Sequence, residues 1–395
     1  MVDHEMIDLG SCGLHVIHGA LPTGHKSAGW NINSFLTGLY WLFKDSPARR
    51  SDFMSMTKTN IFPYKFCQTR WVESSRAANR ALLIFSDVKK YVNDSKVKLP
   101  STVLLATTLE PFLKKFQSDE PLGPFLYTEV QILLINLLEK FVKKDVIPKD
   151  AKKILNINFK DSEILLPLNK IDIGFASRKL LKNITESKKH IFYKECRTFL
   201  IACVTKIVSR SNLKYDIVKA ISCLDPSLIC NYPKKAEQRV RLTLEILYEK
   251  GVINSDLADK CKMQFNRCVI DYSNNFKMFE PCQRLDKFYT KLLSKHEEYQ
   301  DFYKIIKIIL IFSHGNAIVE SGFSINKELL VENLHENSLI AQRIVYDNLL
   351  HKGGAENIDI DNKIINYCRI ASRNYKDALE QKKERSKNYF RSKCL

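Results

Sequence analysis

Apolar residues at helical spacing constrain the fold of this chain more than any other feature of its sequence. Between Glu129 and Lys144, seven apolar side chains recur three or four residues apart, and most charged residues fall on the opposite face. A period of about 3.6 residues predicts an amphipathic helix. The same pattern recurs over residues 193–208, 214–223 and 236–249. The middle of the chain is therefore predicted to be helical.

Strand signals are few. Residues 14–17, 164–166 and 305–312 are short apolar runs, and the last is rich in β-branched side chains. Such a run fits a buried strand, although a buried helix fits residues 305–312 equally well. With only 13 glycines among 395 residues, no glycine-rich linker divides the chain. We predict a fold of the class α/β plus mainly α.

The charge of the chain favours polyanionic partners. Lysine and arginine total 62 against 44 acidic residues, which gives a net charge of +18. A field of that sign attracts nucleic acid, although a solvated basic surface without a specific ligand is the alternative. The basic tail from Lys376 to Leu395 is predicted to be a frayed helix or a disordered arm.

Cysteine usage and hydropathy bear on the compartment. The cysteine count of 11 is odd, the spacings are irregular, and acidic residues stand where a secretory signal would need an apolar core. We therefore expect a reducing intracellular compartment. The most apolar run, residues 305–312, is interrupted by Lys307 and is too short to cross a bilayer. No membrane partner is predicted.

The first residues hold the nearest approach to a metal cluster, formed by Cys12, His15, His18 and His25. Their spacing is not a standard zinc pattern, and no Cys-x-x-Cys pair completes it. The better interpretation is that Cys12 and His15 lie at the end of a buried element, where the histidine side chain hydrogen-bonds nearby groups. We predict no metal site.

Two further positions carry candidate chemistry. Arg70 beside Trp71 pairs a fork-shaped cation with a large aromatic, which can hold a phosphate and stack on a base, although such a pair is more often structural. Glu320 opens a helical pattern after the apolar run, where a carboxylate can cap the helix, pair with a lysine or bind a metal. Alone, neither position decides a function.

The segment from Ser338 to Leu350 predicts a helix with an apolar stripe. Asn337 is a plausible N-cap, and Gly353 with Gly354 marks the end. Periodicity alone leaves open whether the stripe faces the chain's own core or a second subunit.

Taken in order, five short motifs resemble the landmarks of hAT-family DNA transposases. They are Cys12-x-x-His15, Thr69-Arg70-Trp71, Leu224-Asp225-Pro226, Leu285-Asp286-Lys287-Phe288-Tyr289 and Glu320-x-x-Phe323-Ser324. Their order spans nearly the whole chain. The resemblance implies a partial RNase H-like domain interrupted by a large all-helical insertion domain. The implied regions are 1–65 (partial catalytic region), 66–300 (insertion), 301–352 (RNase H-like return and dimerisation region) and 353–395 (basic tail).

The resemblance also implies roles for individual residues. In such transposases three carboxylates hold two divalent ions, and Glu320 matches the third of them. Cys12 and His15 match a supporting motif, while Arg70 and Trp71 match a DNA-contacting position. The residues implied in dimerisation are Phe323, Leu334, Ile340, Ile344 and Leu349.

The sequence departs from the transposase pattern in three ways. The first two catalytic aspartates should precede Cys12, which lies eleven residues after Met1, and the zinc-finger DNA-binding domain has no counterpart. Ser321 stands where the family usually has arginine. We therefore expect a chain that is catalytically inactive as it stands and needs no cofactor. Mg²⁺ or Mn²⁺ would be needed only with a complete set of carboxylates.

These features favour a transposase-derived, catalytically incomplete protein that binds DNA non-specifically through phosphates, forms a homodimer or higher oligomer, and works in the nucleus. Two alternatives stay open. One is a fragment of an active hAT transposase, with metal-dependent cleavage and strand transfer, whose N-terminus is missing. The other is a protein-interaction module without DNA binding.

Overall fold

The computed structural model describes residues 7–67, 75–92, 109, 111–118, 120–182, 184–315, 317–330 and 336–393. It divides into two compact units, Met1–Ile318 and Val319–Leu395, and each is considered by itself. The predicted boundaries at residues 65, 300 and 352 stay predictions.

The first unit is built from helices that run through its whole described length. Residues 111–116 are also helical. The α-helices are α1 Gly13–Ser27, α2 Ile32–Phe43, α3 Pro47–Thr57, α4 Ser75–Leu83, α5 Phe85–Val92, α6 Gly123–Leu138, α7 Ala151–Leu155, α8 Phe175–Leu181, α9 Glu186–Ser209, α10 Asp216–Ala220, α11 Pro226–Asn231, α12 Pro233–Glu249, α13 Ser255–Asp271, α14 Ser273–Lys277, α15 Leu285–Leu293 and α16 Gln300–Ile311.

Short 3₁₀ helices connect several of these elements: Lys144–Val146, Ser162–Ile164, Leu168–Lys170, Asn212–Lys214, Ile221–Leu224 and Glu297–Tyr299. The helix α17, Ala317–Leu329, begins two residues before the boundary between the units. The second unit continues with α18 Glu336–His351, the 3₁₀ helix Ala355–Asn357 and α19 Asn362–Lys393.

The prediction of an α/β fold with a partial RNase H-like domain is wrong. Over the described residues, extended pairing is limited to one isolated antiparallel bridge between Val142 and Leu165. An RNase H-like domain requires a β-sheet, and one bridge is not a sheet. The described part of the chain is an all-helical fold.

The apolar run at residues 305–312 shows why the strand prediction failed. Most of it lies in α16, whose buried side chains recur three or four residues apart at Phe302, Ile305, Ile306 and Ile309. Lys304 and Lys307 are exposed on the other face. The burial is one-sided with helical spacing, so β-branched content did not decide the conformation.

Residues 14–17, the second predicted strand, lie inside α1. Leu14, Ile17 and Leu21 are buried, and their spacing of three and four residues places them on one helix face. The third predicted strand, residues 164–166, contributes only Leu165 to the isolated bridge. The helices predicted at 193–208, 236–249 and 338–350 are confirmed in α9, α12 and α18, and the tail forms α19. The helix predicted at 129–144 is confirmed only to Leu138, where α6 ends, and the one predicted at 214–223 is divided between α10 and short 3₁₀ helices.

Close packing of α1 on α9 organises the first unit. A Cβ added to Gly24 would overlap Cys203 Sγ and the ring of Phe199, so only glycine allows this approach. Cys203 Sγ donates to the carbonyl oxygen of Ala20 at 3.2 Å. Burial raises the pKa of the Cys203 thiol, which keeps it protonated as a donor.

An aromatic stack completes this contact. The His25 ring lies 5.1 Å from the Phe199 ring, and Trp30 lies 5.1 Å from Phe199 at a tilted angle. Trp30 Nε1 donates to Glu195 Oε2 at 3.1 Å. Burial lowers the pKa of His25 to about 3, so its imidazole is neutral in the folded chain.

His25 is expected to make the fold sensitive to acid. Its pKa is about 3 in the folded chain and about 6.5 in an unfolded one, so protonation favours unfolding. The stabilisation is complete above pH 6.5 and falls by about 1.4 kcal/mol per pH unit between about 6.5 and 3. Urea denaturation at several pH values measures this loss.

The matched comparison uses His25→Leu, with the exposed His190→Gln as control. Between pH 6.5 and 5.5, His25→Leu should lose about 1 kcal/mol less unfolding free energy than the parent protein. His190→Gln should follow the parent. An identical pH dependence in His25→Leu and the parent would contradict a buried neutral His25.

Candidate nucleic-acid interface

Cys12 and His15 lie at the start of α1 in different environments. Cys12 is half-buried just before the helix, whereas His15 is exposed on it and His18 is buried. Among the described residues, no group of three or more histidine, cysteine, aspartate or glutamate side chains is placed to hold a metal ion.

The structure brings Cys12 beside a distant loop. A Cβ built on Gly315 would lie 3.4 Å from Cys12 Sγ, so the start of α1 meets the segment that follows α16. Cys12 therefore approaches a loop that follows it by about three hundred residues in the sequence. Glu320 lies five residues further along, in α17, and its side chain is outside the described part.

His314 anchors the same loop. Its Nε2 lies 2.9 Å from the carbonyl oxygen of Phe116, and its ring stands edge-on to the Phe116 ring at 5.4 Å. Burial lowers the pKa of His314, so the ring is neutral and Nε2–H donates to that carbonyl. His314 therefore has a structural role at the end of α16.

Two other landmarks meet in the core. The Tyr289 hydroxyl in α15 donates to the carbonyl oxygen of Leu224 at 3.0 Å. Asp225 caps α11 by accepting from the Ser227 amide at 2.9 Å. Burial raises the pKa values of both Asp225 and Tyr289. These motifs hold helices together, so packing explains their residue types.

Arg239 extends this buried network. Its Nη1 donates to Ser222 Oγ at 2.6 Å, and its guanidinium lies 5.1 Å from the centroid of the Tyr127 ring. Burial is the main cause of its lowered pKa. This arginine stabilises α12 against α6 and the 3₁₀ helix Ile221–Leu224.

Arg49 and Arg50 donate hydrogen bonds to carbonyl oxygens at the C-terminal end of α2. Arg49 Nη1 donates to the carbonyl oxygen of Leu42 at 3.4 Å, and Arg50 Nε donates to that of Phe43 at 2.7 Å. These carbonyls belong to the last turn of α2, where intrahelical donors run out. Part of the basic character of α3 is therefore used within the fold.

Two exposed aromatic side chains form pairs with cations. Trp41 is 54% exposed, and Lys44 Nζ lies 4.4 Å from its ring centroid. Tyr64 is 49% exposed, and the Arg80 guanidinium lies 4.2 Å from its ring centroid. An exposed ring can stack on a base while the neighbouring cation meets a phosphate. Trp41 and Tyr64 are our candidate nucleic-acid contacts.

Sequence reasoning missed Trp41, although a signal for it exists. The buried residues of α2 are Ile32, Leu36, Leu39 and Phe43. Trp41 lies two residues after Leu39, about 200° around the helix, so it falls on the opposite face. A tryptophan on the polar face of an amphipathic helix is the pattern that should have been noted.

The predicted DNA contacts Arg70 and Trp71 lie outside the described residues, as does Leu334. Of the other predicted dimerisation residues, Phe323 in α17 is 68% exposed and Ile344 in α18 is 56% exposed. Ile340 is exposed as well, and Leu349 is half-buried.

Within the second unit, Arg343 joins α17 and α18. Its Nη1 donates to the carbonyl oxygen of Gly322 at 3.0 Å and to Asn326 Oδ1 at 2.9 Å. Its Nε lies 2.9 Å from both carboxylate oxygens of Asp347. The hydrogen bonds of Arg343, with few buried apolar contacts beside them, therefore hold α17 and α18 together.

The chain matches no protein-family model and no curated protein sequence. Its resemblance to hAT transposases consequently stays a prediction. Among the helices of the described part, none has both the length and the apolar character needed to cross a bilayer.

Replacing the Trp41 ring should weaken binding to single-stranded oligonucleotides. Base stacking on an aromatic side chain is worth about 1–3 kcal/mol, so Trp41→Ala should raise the dissociation constant about 5- to 150-fold. Fluorescence anisotropy with a labelled thymidine oligomer measures the change. Trp41→Phe should retain most of the affinity.

Tyr248→Ala provides a control, because Tyr248 is a similarly exposed aromatic on α12. It should leave the affinity almost unchanged. Unchanged binding by Trp41→Ala, or an equal loss in Tyr248→Ala, would exclude Trp41 as a specific stacking position.

Proposed function

We propose that this chain is a transposase-derived protein that binds DNA through its phosphates, associates with itself, and does not cleave DNA. A nuclear location is part of the proposal. The observation that carries it is the unbalanced positive charge, since 62 basic residues face 44 acidic ones. Even if every acidic residue formed an ion pair, 62 − 44 = 18 cations would remain.

The exposed rings support a nucleic-acid ligand in preference to other polyanions. Trp41 with Lys44 and Tyr64 with Arg80 each combine a stacking surface with a phosphate-binding group. Phosphate contacts carry no base information, so we expect little sequence preference.

The absence of cleavage follows from the chemistry of two-metal catalysis. Two divalent ions in an in-line displacement need several carboxylates, and the transposase resemblance assigns only Glu320 within this sequence. The alternative, a fragment of an active transposase, predicts metal-dependent DNA cleavage. Cleavage of a labelled duplex with Mg²⁺ or Mn²⁺, lost in Glu320→Gln, would favour it.

Binding to duplex DNA should weaken steeply with salt. If roughly four to eight lysines and arginines contact phosphates, the slope of log K against log salt concentration should be about −4 to −7. Anisotropy titrations between about 50 and 200 mM salt measure this slope, because each contact releases condensed counterions.

Two duplexes of equal length and unrelated sequence serve as the matched comparison and should give the same slope and similar affinity. A flat salt response, or no binding at low salt, would exclude DNA and favour the protein-interaction alternative. Strong preference for one duplex would contradict binding through phosphates alone.

The exposed apolar side chains of α18 support self-association. Ile340, Ile344, Val345 and Leu350 are all exposed, and α18 has no buried residue. Ile340 and Ile344 lie four residues apart on one side of the helix, and exposed apolar surface is typical of protein interaction sites. The transposase resemblance places a dimerisation region here, which makes a second copy the expected partner.

A charge on the apolar stripe of α18 should therefore dissociate the oligomer. Ile344→Asp, alone or with Leu349→Asp, places carboxylates where apolar contact is proposed, and burying an unpaired charge is costly. Light scattering at tens of micromolar should show a shift from dimer mass toward monomer mass.

The control for Ile344→Asp is Gln342→Asp, which adds the same charge at an exposed polar position about 160° around the same helix. It should leave the mass unchanged. Circular dichroism verifies that each variant is folded. A monomeric parent protein, or a dimer that survives Ile344→Asp with Leu349→Asp, would overturn the proposed association through α18.

A further inference from the structure

The long helix α19 carries an apolar face that no part of the described chain buries. It spans 32 residues, and between Asn362 and Gln381 only Ile365 is half-buried while all other side chains are exposed. Tyr375, for example, is 60% exposed. Isolated helices of ordinary composition are marginal in water, and most helices are stabilised by packing of an amphipathic face. We therefore expect this face to be stabilised by packing against a partner.

The spacing of the face indicates what kind of partner fits. Ile364, Cys368, Ala371, Tyr375 and Ala378 follow one another at intervals of four, three, four and three residues. That alternation is the a and d pattern of a heptad repeat, with Cys368 and Tyr375 at a and the others at d. A facing helix with the same repeat can interdigitate with it.

Charged residues avoid this seam completely. Between residues 362 and 381 they all occupy the outer positions b, c and f of the heptad: Lys363, Arg369, Arg373, Lys376, Asp377 and Glu380. The flanking e and g positions are uncharged: Ile365, Tyr367, Ser372, Asn374, Leu379 and Gln381. A neutral seam disfavours a nucleic acid or an anionic membrane there, and it matches the same seam on a second copy.

Side-chain size selects the relative direction of the two helices. In a parallel pair, Tyr375 would face the partner's Tyr375, and Ala371 would face the partner's Ala371, which leaves crowded and empty layers. In an antiparallel pair, an a residue faces a d residue, so Tyr375 meets the partner's Ala371 and Cys368 meets the partner's Ala378. In the layers from Cys368 to Ala378, Tyr375 then packs on alanine and no two large side chains meet.

Charge favours the same direction. Residues 382–393 contain six lysines and arginines and one acidic residue, Glu384. A parallel pair would place these two basic segments side by side, whereas an antiparallel pair holds them at opposite ends. Like-charge repulsion falls with distance and opposes the parallel arrangement.

We propose that residues 368–378 of α19 pair with the same segment of a second copy as an antiparallel coiled coil. This interface uses a different helix from the α18 association and does not require it. The seam is short, so affinity is modest, and a second contact between the same copies would raise it by effective concentration.

Disulfide trapping tests both the pairing and its direction. The background protein carries Cys67→Ser, Cys282→Ser and Cys394→Ser, which leaves Cys368 as the exposed thiol of the seam. In the antiparallel pair, Cys368 and the partner's Cys368 are ten residues apart along the axis, about 15 Å, and cannot bond. Ala378→Cys places a new thiol opposite the partner's Cys368.

The oxidant is glutathione disulfide, which takes up the two protons and two electrons released by two thiols and yields two reduced glutathione molecules. At about 50 μM protein, Ala378→Cys should give a covalent dimer whose peptide map joins Cys368 to the new cysteine. The background protein should stay unlinked. Glu380→Cys, an outer-face control on the same turn, should also stay unlinked.

The other outcomes overturn the proposal. A Cys368 to Cys368 bond in the background protein would show parallel pairing, and an unlinked Ala378→Cys protein would show that the seam is not paired. Tyr375→Glu within the Ala378→Cys protein should abolish the link, and a persistent link would show that trapping does not report the seam. DNA titration and the mass of Ile344→Asp remain independent readings of the function proposed above.

Discussion

The close approach of α1 to α9 is the contact on which the first unit depends. Gly24 lets the two backbones come together, and Cys203 and Phe199 fill the space that any larger residue would need. His25 and Trp30 then stack on Phe199, and Glu195 accepts from Trp30. This contact joins the start of the chain to α9, the longest described helix of the unit, and therefore fixes the position of α1. His25 is consequently held neutral by burial.

A second set of buried polar contacts explains the landmarks in the middle of the chain. Leu224 accepts from Tyr289, Asp225 caps α11, and Arg239 reaches Ser222 from α12. Buried polar groups are costly unless paired, so each of these residues constrains its partner. In the sequence they resembled functional motifs. In the structure they join helices that are far apart in the chain, and this packing role suffices to explain their residue types.

The sequence predicted the helices well and the fold class poorly, for one physical reason. The helix at residues 236–249 could be predicted because its buried face repeats at helical spacing, and α12 confirms it. The run at residues 305–312 is nearly apolar, so its composition fitted a strand and a buried helix equally well, and the four buried residues that fix α16 become visible only in the fold. Exposure of Trp41 was missed for a different reason, since the spacing of the apolar residues of α2 already places it on the face opposite the buried one. The approach of Gly315 to Cys12 depends on tertiary packing that no local pattern encodes.

The charge distribution of α19 bears on both proposed activities, DNA binding and self-association. Its cations occupy the outer heptad positions and the last twelve residues, while its seam is neutral. A polyanion and a second copy would therefore contact different faces of one helix and need not compete. Phosphate binding need not disturb pairing, since the antiparallel arrangement already holds the two basic ends apart. In the antiparallel arrangement those ends lie at opposite tips of the pair, so one dimer presents two separated basic segments along the same axis. Such a geometry suits binding across neighbouring stretches of DNA backbone, which agrees with recognition of phosphates and not of base sequence.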